Sequence, residues 1–176
     1  MKRFSLYLSF TILSILNVKG QEVNNGLKLL ELKIQSADSV ILVSHEATAG
    51  EVIRDDETGK STPPPQLFLK GKLNTEIIKE RKVLNALAVQ QLKELIIRPF
   101  EDSIISSVMC YFPHHSILIY KKKRISHLEL CFGCHKFKTS QDLKELGYFD
   151  KRKWKELFAF FKLNDMKYEL DYDWEE

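Results

Sequence analysis

The sequence predicts an α+β fold, a single domain in which antiparallel hairpins pack against two or three amphipathic helices. Three observations predict it. Apolar residues recur at helical spacing in three segments, near residues 26–37, 85–98 and 151–163. Short runs rich in β-branched and apolar residues lie between them and have the length of strands. The helical segments stand apart from the strand pairs instead of alternating with them one by one, which argues against a doubly wound parallel sheet.

The elements follow in chain order. Residues 1–20 (MKRFSLYLSFTILSILNVKG) have a two-charge start, an apolar run from Phe4 to Leu16, and Val18 and Gly20 at small-residue positions. This is the three-part pattern of a secretory signal peptide, and the run is too short for a comfortable membrane span. No Cys follows it, so a lipid anchor lacks its attachment residue. Cleavage before Gln21 leaves 156 of the 176 residues, enough for one domain with a real core, 21–176. Its destination is exported, periplasmic or extracellular, an oxidising compartment in which thiols pair, bind metal or hold a cofactor.

Residues 26–37 (GLKLLELKIQSA) place Leu27, Leu30 and Ile34 on one helical stripe, widened by Leu29 and Leu32, with Asn24 or Asn25 as cap. Residues 38–45 (DSVILVSH) predict a buried strand. Residues 50–65 collect Gly50, Gly59, Asp55, Asp56 and Pro63 to Pro65, and predict a mobile surface loop without a regular element. A second strand is predicted over 66–73, with Gly71 as a bulge or turn. A helix near 85–98 uses Leu84, Leu87, Leu92, Leu95 and Ile96 and stops at Pro99. Strands are predicted over 104–111, 116–121 and 125–132, with Pro113 interrupting the ladder and 121–124 a basic tip. Residues 151–163 (KRKWKELFAFFKL) predict a last helix that buries Trp154, Leu157, Phe158 and Phe161. Residues 165–176 hold six acids against Lys167 and predict a solvated acidic tail.

Charge excludes one class of partner. The chain has 27 basic and 24 acidic residues, but Lys2, Arg3 and Lys19 lie in the first 20, which hold no acid. The remaining 24 basic and 24 acidic residues balance, so no electrostatic basis for nucleic-acid binding survives. After signal cleavage no stable membrane span is expected, and the sequence names no other partner.

Chemistry concentrates between residues 110 and 135, which hold all three cysteines and four of the five histidines, all but His45. The segments read Cys110-Tyr-Phe-Pro-His114-His115 and His127-Leu-Glu129-Leu-Cys131-Phe-Gly-Cys134-His135. A two-residue turn at Lys122 and Lys123 pairs Tyr120 with Ile125 and sets His114 opposite Cys131; a three-residue loop sets His115 there instead. The strand period puts His127, Glu129 and Cys131 on one face and Leu128, Leu130 and Phe132 on the other.

These residues resemble a family of small exported or lipid-anchored bacterial proteins, itself without an assigned activity. Its pattern is Cys-x-x-Pro-[Arg/His]-His, an apolar hairpin, then Cys-Phe-x-Cys, matched here by Cys110 through His115 and by Cys131 through Cys134. The resemblance extends from the strand at Asp38 to the last helix. It implies a shared site but no reaction, and the absence of a lipid-attachment Cys implies a soluble variant.

Several readings of the cluster stand side by side. One is a structural disulfide from Cys110 to Cys131 or Cys134, which leaves one odd thiol. Another is a zinc-type metal site of Cys110, His114, Cys131 and Cys134, three thiolates and an imidazole around a tetrahedral ion. His115, His127, His135 and Glu129 are alternative ligands. An open zinc site on Cys131, Cys134 and one His would activate water, with Glu129 as base. A third is covalent c-type haem, since Cys131-Phe-Gly-Cys134-His135 satisfies the attachment pattern, with Met109 or Met166 as second axial ligand. A fourth is thiol–disulfide exchange through Cys131 and Cys134. A zinc-deaminase arrangement fails, because its two halves come from separate helix starts and here they share one strand. His45, at the end of its strand, is expected as a satisfied edge residue. No phosphate loop or nucleophile elbow is present, and with no recognisable catalytic motif an enzyme is less expected than a structural or metal-binding protein.

Overall fold

The computed structural model describes residues 25–49, 53–54, 61–98, 110–144 and 146–171. Three helices and nine strands occur among these residues, and they form a single α+β domain with hairpins packed on helices. The predicted signal segment and Met109 lie outside the described residues.

α1 (Asn25–Gln35) buries Leu27, Leu30 and Ile34 at the predicted spacing. Leu29 and Leu32 do not widen the stripe but face solvent, 39% and 53% exposed. The chain then enters β1 (Ser39–His45), whose residues after Ser39 are all buried. β2 (Ile53–Arg54) and β3 (Ser61–Thr62) pair antiparallel, so the loop predicted to lack any regular element contains a minimal ladder. The single strand expected over 66–73 is a hairpin of β4 (Phe68–Leu69) and β5 (Lys72–Leu73). Lys70 and Gly71 between them have φ of 50° and 75°, the left-handed pair that a tight two-residue hairpin turn requires and glycine adopts without strain. After a short 3-10 turn, Thr75–Ile77, follows β6 (Ile78–Val83).

α2 (Ala86–Ile97) starts where the Asn85 side chain accepts from the Ala88 N–H at 2.8 Å. It buries Ala88, Leu92, Leu95 and Ile96, while Leu87, expected on the core stripe, is 68% exposed. Of the strand expected over 104–111, only Cys110 and Tyr111 are described, and they are in no strand. β7 (His115–Lys121), β8 (Arg124–Cys131) and β9 (Lys136–Thr139) complete the strands, and a 3-10 turn, Gln141–Leu143, leads toward α3 (Lys151–Leu163). Asp150 caps α3 by accepting from the Lys153 N–H at 2.8 Å.

The main sheet has the order β6-β1-β7-β8-β9 and is antiparallel at every junction. Alternation divides its side chains between two cores. Val40, Leu42, Ile117, Ile119, Leu128 and Leu130 meet all three helices, where burying each such side chain contributes about 1.5–3 kcal/mol. Ile41, Val43 and Leu118 on the reverse face meet Leu67 and Ile77, with Phe68 and Leu73 packed around them. The predicted tail is not wholly solvated. Met166 and Leu170 are buried in the helix-side core, and the Glu80 carboxylate accepts the N–H groups of Lys167 and Tyr168 at 2.9–3.1 Å. Residues 172–176 lie outside the described set. No helix among the described residues is long and apolar enough to cross a membrane.

Candidate functional site

The central hairpin sets the site. Lys121 pairs with Arg124 and Tyr120 with Ile125, so Lys122 and Lys123 are the two-residue turn of the first predicted register. The ladder runs to His115 opposite Leu130, and His114 follows one step beyond, on the side of Cys131. At the other end of β8 the chain reverses through residues 132–135 into β9, with Cys131 paired to Lys136. The His135 N–H donates to the Phe132 carbonyl at 3.3 Å, and His135 takes a left-handed φ of 51°.

This reversal decides the disulfide. It brings the Cα atoms of Cys131 and Cys134 to 5.3 Å, and the two are joined, within the separation a disulfide spans. The bridge expected from Cys110 to one of them is not formed. Cys110 arrives from the segment ahead of β7 and meets a pair that the turn has already brought together. Its thiol is left over, donating to the Cys134 sulfur at 2.9 Å. The three sulfurs therefore converge. Both bridge sulfurs belong to buried residues, while Cys110 is half-buried.

An open cleft of about 290 Å³ lies over this centre, lined by all three cysteines, His114, His115, Phe112, Phe132, Gly133 and Glu169. The four residues of the expected zinc set, Cys110, His114, Cys131 and Cys134, thus share one cavity. With two sulfurs bonded to each other, no group of three or more His, Cys, Asp or Glu among the described residues is placed to hold a metal ion.

The histidines differ sharply in what surrounds them. Nδ1 of His114 donates to the His45 carbonyl at 3.2 Å. His115 points into the helix-side core, its ring 5.0 Å from Phe132 and 5.4 Å from Phe161. Its Nε2 donates to the Tyr168 carbonyl at 2.8 Å. Burial pulls its pKa down to about 3 against the opposing effect of that carbonyl, so it is neutral at ordinary pH. His135 rests 6.1 Å from the Trp154 ring, and burial followed by the charge of Lys151 lowers its pKa. It does not line the sulfur cleft, and the two sulfurs that a haem would require are here joined to each other. Met166 is buried in the core.

His127 and Glu129 share the reverse face, as the strand period predicts, but Cys131, expected with them, lines the cleft and they do not. The His127 ring stacks on Phe68 at 4.5 Å. Glu129 accepts from Thr48 Oγ1 at 2.7 Å and lies 3.5 Å from His127 Nε2. Burial acts to raise the Glu129 pKa, but the hydrogen bonds of His127 and Thr48 prevail and hold it below the usual carboxylate range. The expected role of Glu129 as base to a metal-bound water at Cys131 and Cys134 is therefore not supported by position: both oxygens face Thr48 and His127. Tyr111 hydroxyl donates to the Glu129 carbonyl at 3.2 Å, and burial pushes its pKa well up.

His45 is not an edge residue. β1 lies between β6 and β7, and the imidazole is fully buried. Nδ1 donates to the Glu46 carbonyl at 2.8 Å, which leaves Nε2 to accept from the Ser116 hydroxyl at 2.9 Å. Burial lowers its pKa, consistent with this neutral tautomer. Ser116, Thr48, Tyr111, Phe112 and Glu169 were not anticipated at the site. Ser116 had a signal: it is the one polar residue after His115 in the apolar run of β7, and the predicted register places it opposite Glu129, where it lies.

No protein-family model, no curated protein and no solved structure matches this chain, so the site stands on its own geometry.

Proposed function

We propose that this chain is an exported thiol–disulfide exchange protein that works through Cys110, Cys131 and Cys134. One observation carries the reading: the half-buried Cys110 thiol lies 2.9 Å from a sulfur of the Cys131–Cys134 bridge. Exchange proceeds by attack of a thiolate on a disulfide sulfur. Deprotonated Cys110 attacks Cys134 Sγ, the Cys110–Cys134 bond forms, the Cys131–Cys134 bond breaks, and Cys131 leaves as a thiolate that takes up a proton. The number of disulfides is unchanged and no oxidant is needed.

The rearrangement moves the bridge toward the cleft mouth, because Cys110 is the more exposed sulfur. A partner protein's dithiol then reduces the moved bridge and leaves this chain with three thiols. Its first thiolate attacks Cys110 and releases Cys134; its second displaces Cys110 and leaves as the partner's disulfide, passing two electrons to this chain. The export expected from the sequence of residues 1–20 fits the reading, since such bonds persist in oxidising compartments.

Burial of Cys131 and Cys134 favours a second reading, a structural staple. Against it, the bridge closes a loop of sequence separation 3, and so short a loop gives little chain-entropy stabilisation. The rate of reduction by an external dithiol separates the two. In the exchange reading Cys110→Ser slows reduction of the folded protein at least ~10-fold, since the relay through the accessible sulfur is gone. Equal rates for the wild type and this variant would leave only the staple.

A further inference from the structure

We infer that the reduced centre is a zinc site, so that the redox state of Cys131 and Cys134 switches metal binding on and off. The inference rests on the exchange reading, since it requires the bridge to open in the folded protein. An external dithiol supplies two electrons and two protons and is itself oxidised to a disulfide. Three thiols are then held in one cleft: Cys131 and Cys134 from a turn with Cα atoms 5.3 Å apart, and Cys110 already against Cys134.

The fourth donor is His114. Its Nδ1–H points at the His45 carbonyl, 3.2 Å away, which fixes the tautomer with the lone pair on Nε2. Ligating histidines are oriented in this manner, by donating the other ring nitrogen's proton to a carbonyl or carboxylate. His115 is excluded from the role of first choice because its Nε2 is held by the Tyr168 carbonyl. Three thiolates and one imidazole make a closed tetrahedral set for Zn²⁺. Zn–S bonds of about 2.3 Å place the sulfurs roughly 3.8 Å apart, so the 2.9 Å contact of Cys110 with Cys134 must relax outward, and breaking the bridge frees Cys134 to do so. Binding Zn²⁺ releases the three thiol protons. In the bridged state two donors are bonded to each other and the set does not exist, in keeping with the lack of any metal-competent group among the described residues.

The test uses the full mature chain, reduced anaerobically, with the dithiol removed, and titrated with Co²⁺ as a spectroscopic probe. Thiol counting comes first. A bridge that resists reduction in the folded protein overturns the exchange reading and this inference with it. If three thiols are counted, the expected result is saturation at one equivalent of Co²⁺, with sulfur-to-cobalt charge-transfer bands and tetrahedral d–d bands that Zn²⁺ abolishes. The bridged protein is expected to show none. His114→Ala should keep the charge-transfer bands, shift the d–d bands and weaken binding at least ~10-fold; Cys110→Ser should lower the charge-transfer intensity by about one third. Three counted thiols without a saturable cobalt spectrum overturn the zinc inference and leave the exchange reading intact. Unaltered d–d bands and affinity in His114→Ala overturn the assignment of the fourth ligand.

Discussion

His115 donates from Nε2 to the main-chain oxygen of Tyr168, 2.8 Å away, and so ties the first residue of β7 to a segment that by charge alone looks like a loose end. Met166 and Leu170 flank that contact in the core, 3% and 2% exposed, and Glu80 holds the backbone between them. The segment is therefore part of the folded unit.

Removing residues 165–176 is accordingly expected to destabilise the protein by roughly 3–6 kcal/mol, the burial of two large apolar side chains. Chemical denaturation of the truncated chain checks this. An unchanged midpoint would mean that the contacts of Met166 and Leu170 add nothing.

Bridge choice gives a second prediction. In Cys131→Ser, Cys110 is the sulfur nearest to Cys134, so the oxidised variant should contain a Cys110–Cys134 disulfide and no free thiol. Cys110→Ser should retain Cys131–Cys134 and likewise show none, while the wild type shows one. Peptide mapping after alkylation of the denatured, unreduced proteins distinguishes these patterns. A wild type with more than one free thiol would contradict the bridged state.

Ser116→Ala probes the buried polar contact between β1 and β7. The substitution leaves His45 Nε2 without its hydroxyl donor in a site closed to water, at a cost of about 1–3 kcal/mol. Thermal denaturation reads it. A loss under ~0.5 kcal/mol would show that the imidazole turns to another partner.

Asp142 predicts the acid limb of stability. It sits in the turn after β9 and accepts from Lys33 Nζ, Ser126 Oγ and Ser140 Oγ, each at 2.6 Å, joining α1 to β8. Burial acts to raise its pKa, but the hydrogen bonds from Lys33, Ser126 and Ser140 outweigh it and hold the group far below its ordinary value of 3.8. The folded state thus binds this proton less readily than the unfolded chain. Its stabilising effect is present above pH 3.8 and is lost as pH falls below that value. Between about pH 5 and pH 2.5, Tm should fall more steeply for the wild type than for Asp142→Asn. Parallel profiles would remove Asp142 as a cause.

Much of the scaffold was legible because its signals are local. The Lys122-Lys123 turn, the alternation in β8 and the stripe of α3 each follow from the chain's own period, and the helix Lys151–Leu163 has the predicted bounds. β6 gave no such signal. Its sequence IKERKV alternates half-buried and exposed residues because it is a sheet edge, and only its pairing with β1 makes it a strand. β9 is four residues long and depends on β8 in the same way. Leu87 and Leu29 follow the helical period yet face solvent, since a stripe states which residues are able to pack and not which ones find a neighbour.

The sequence by itself narrowed the hairpin to two registers, each of which sets an imidazole across from Cys131, because the strand period and the turn length together fix the pairing. Only the tertiary structure decided which sulfurs bond, which imidazole looks into the cleft and whether the acidic end packs. Those outcomes depend on distances between segments far apart in the chain, and a period along one strand carries no information about the approach of another.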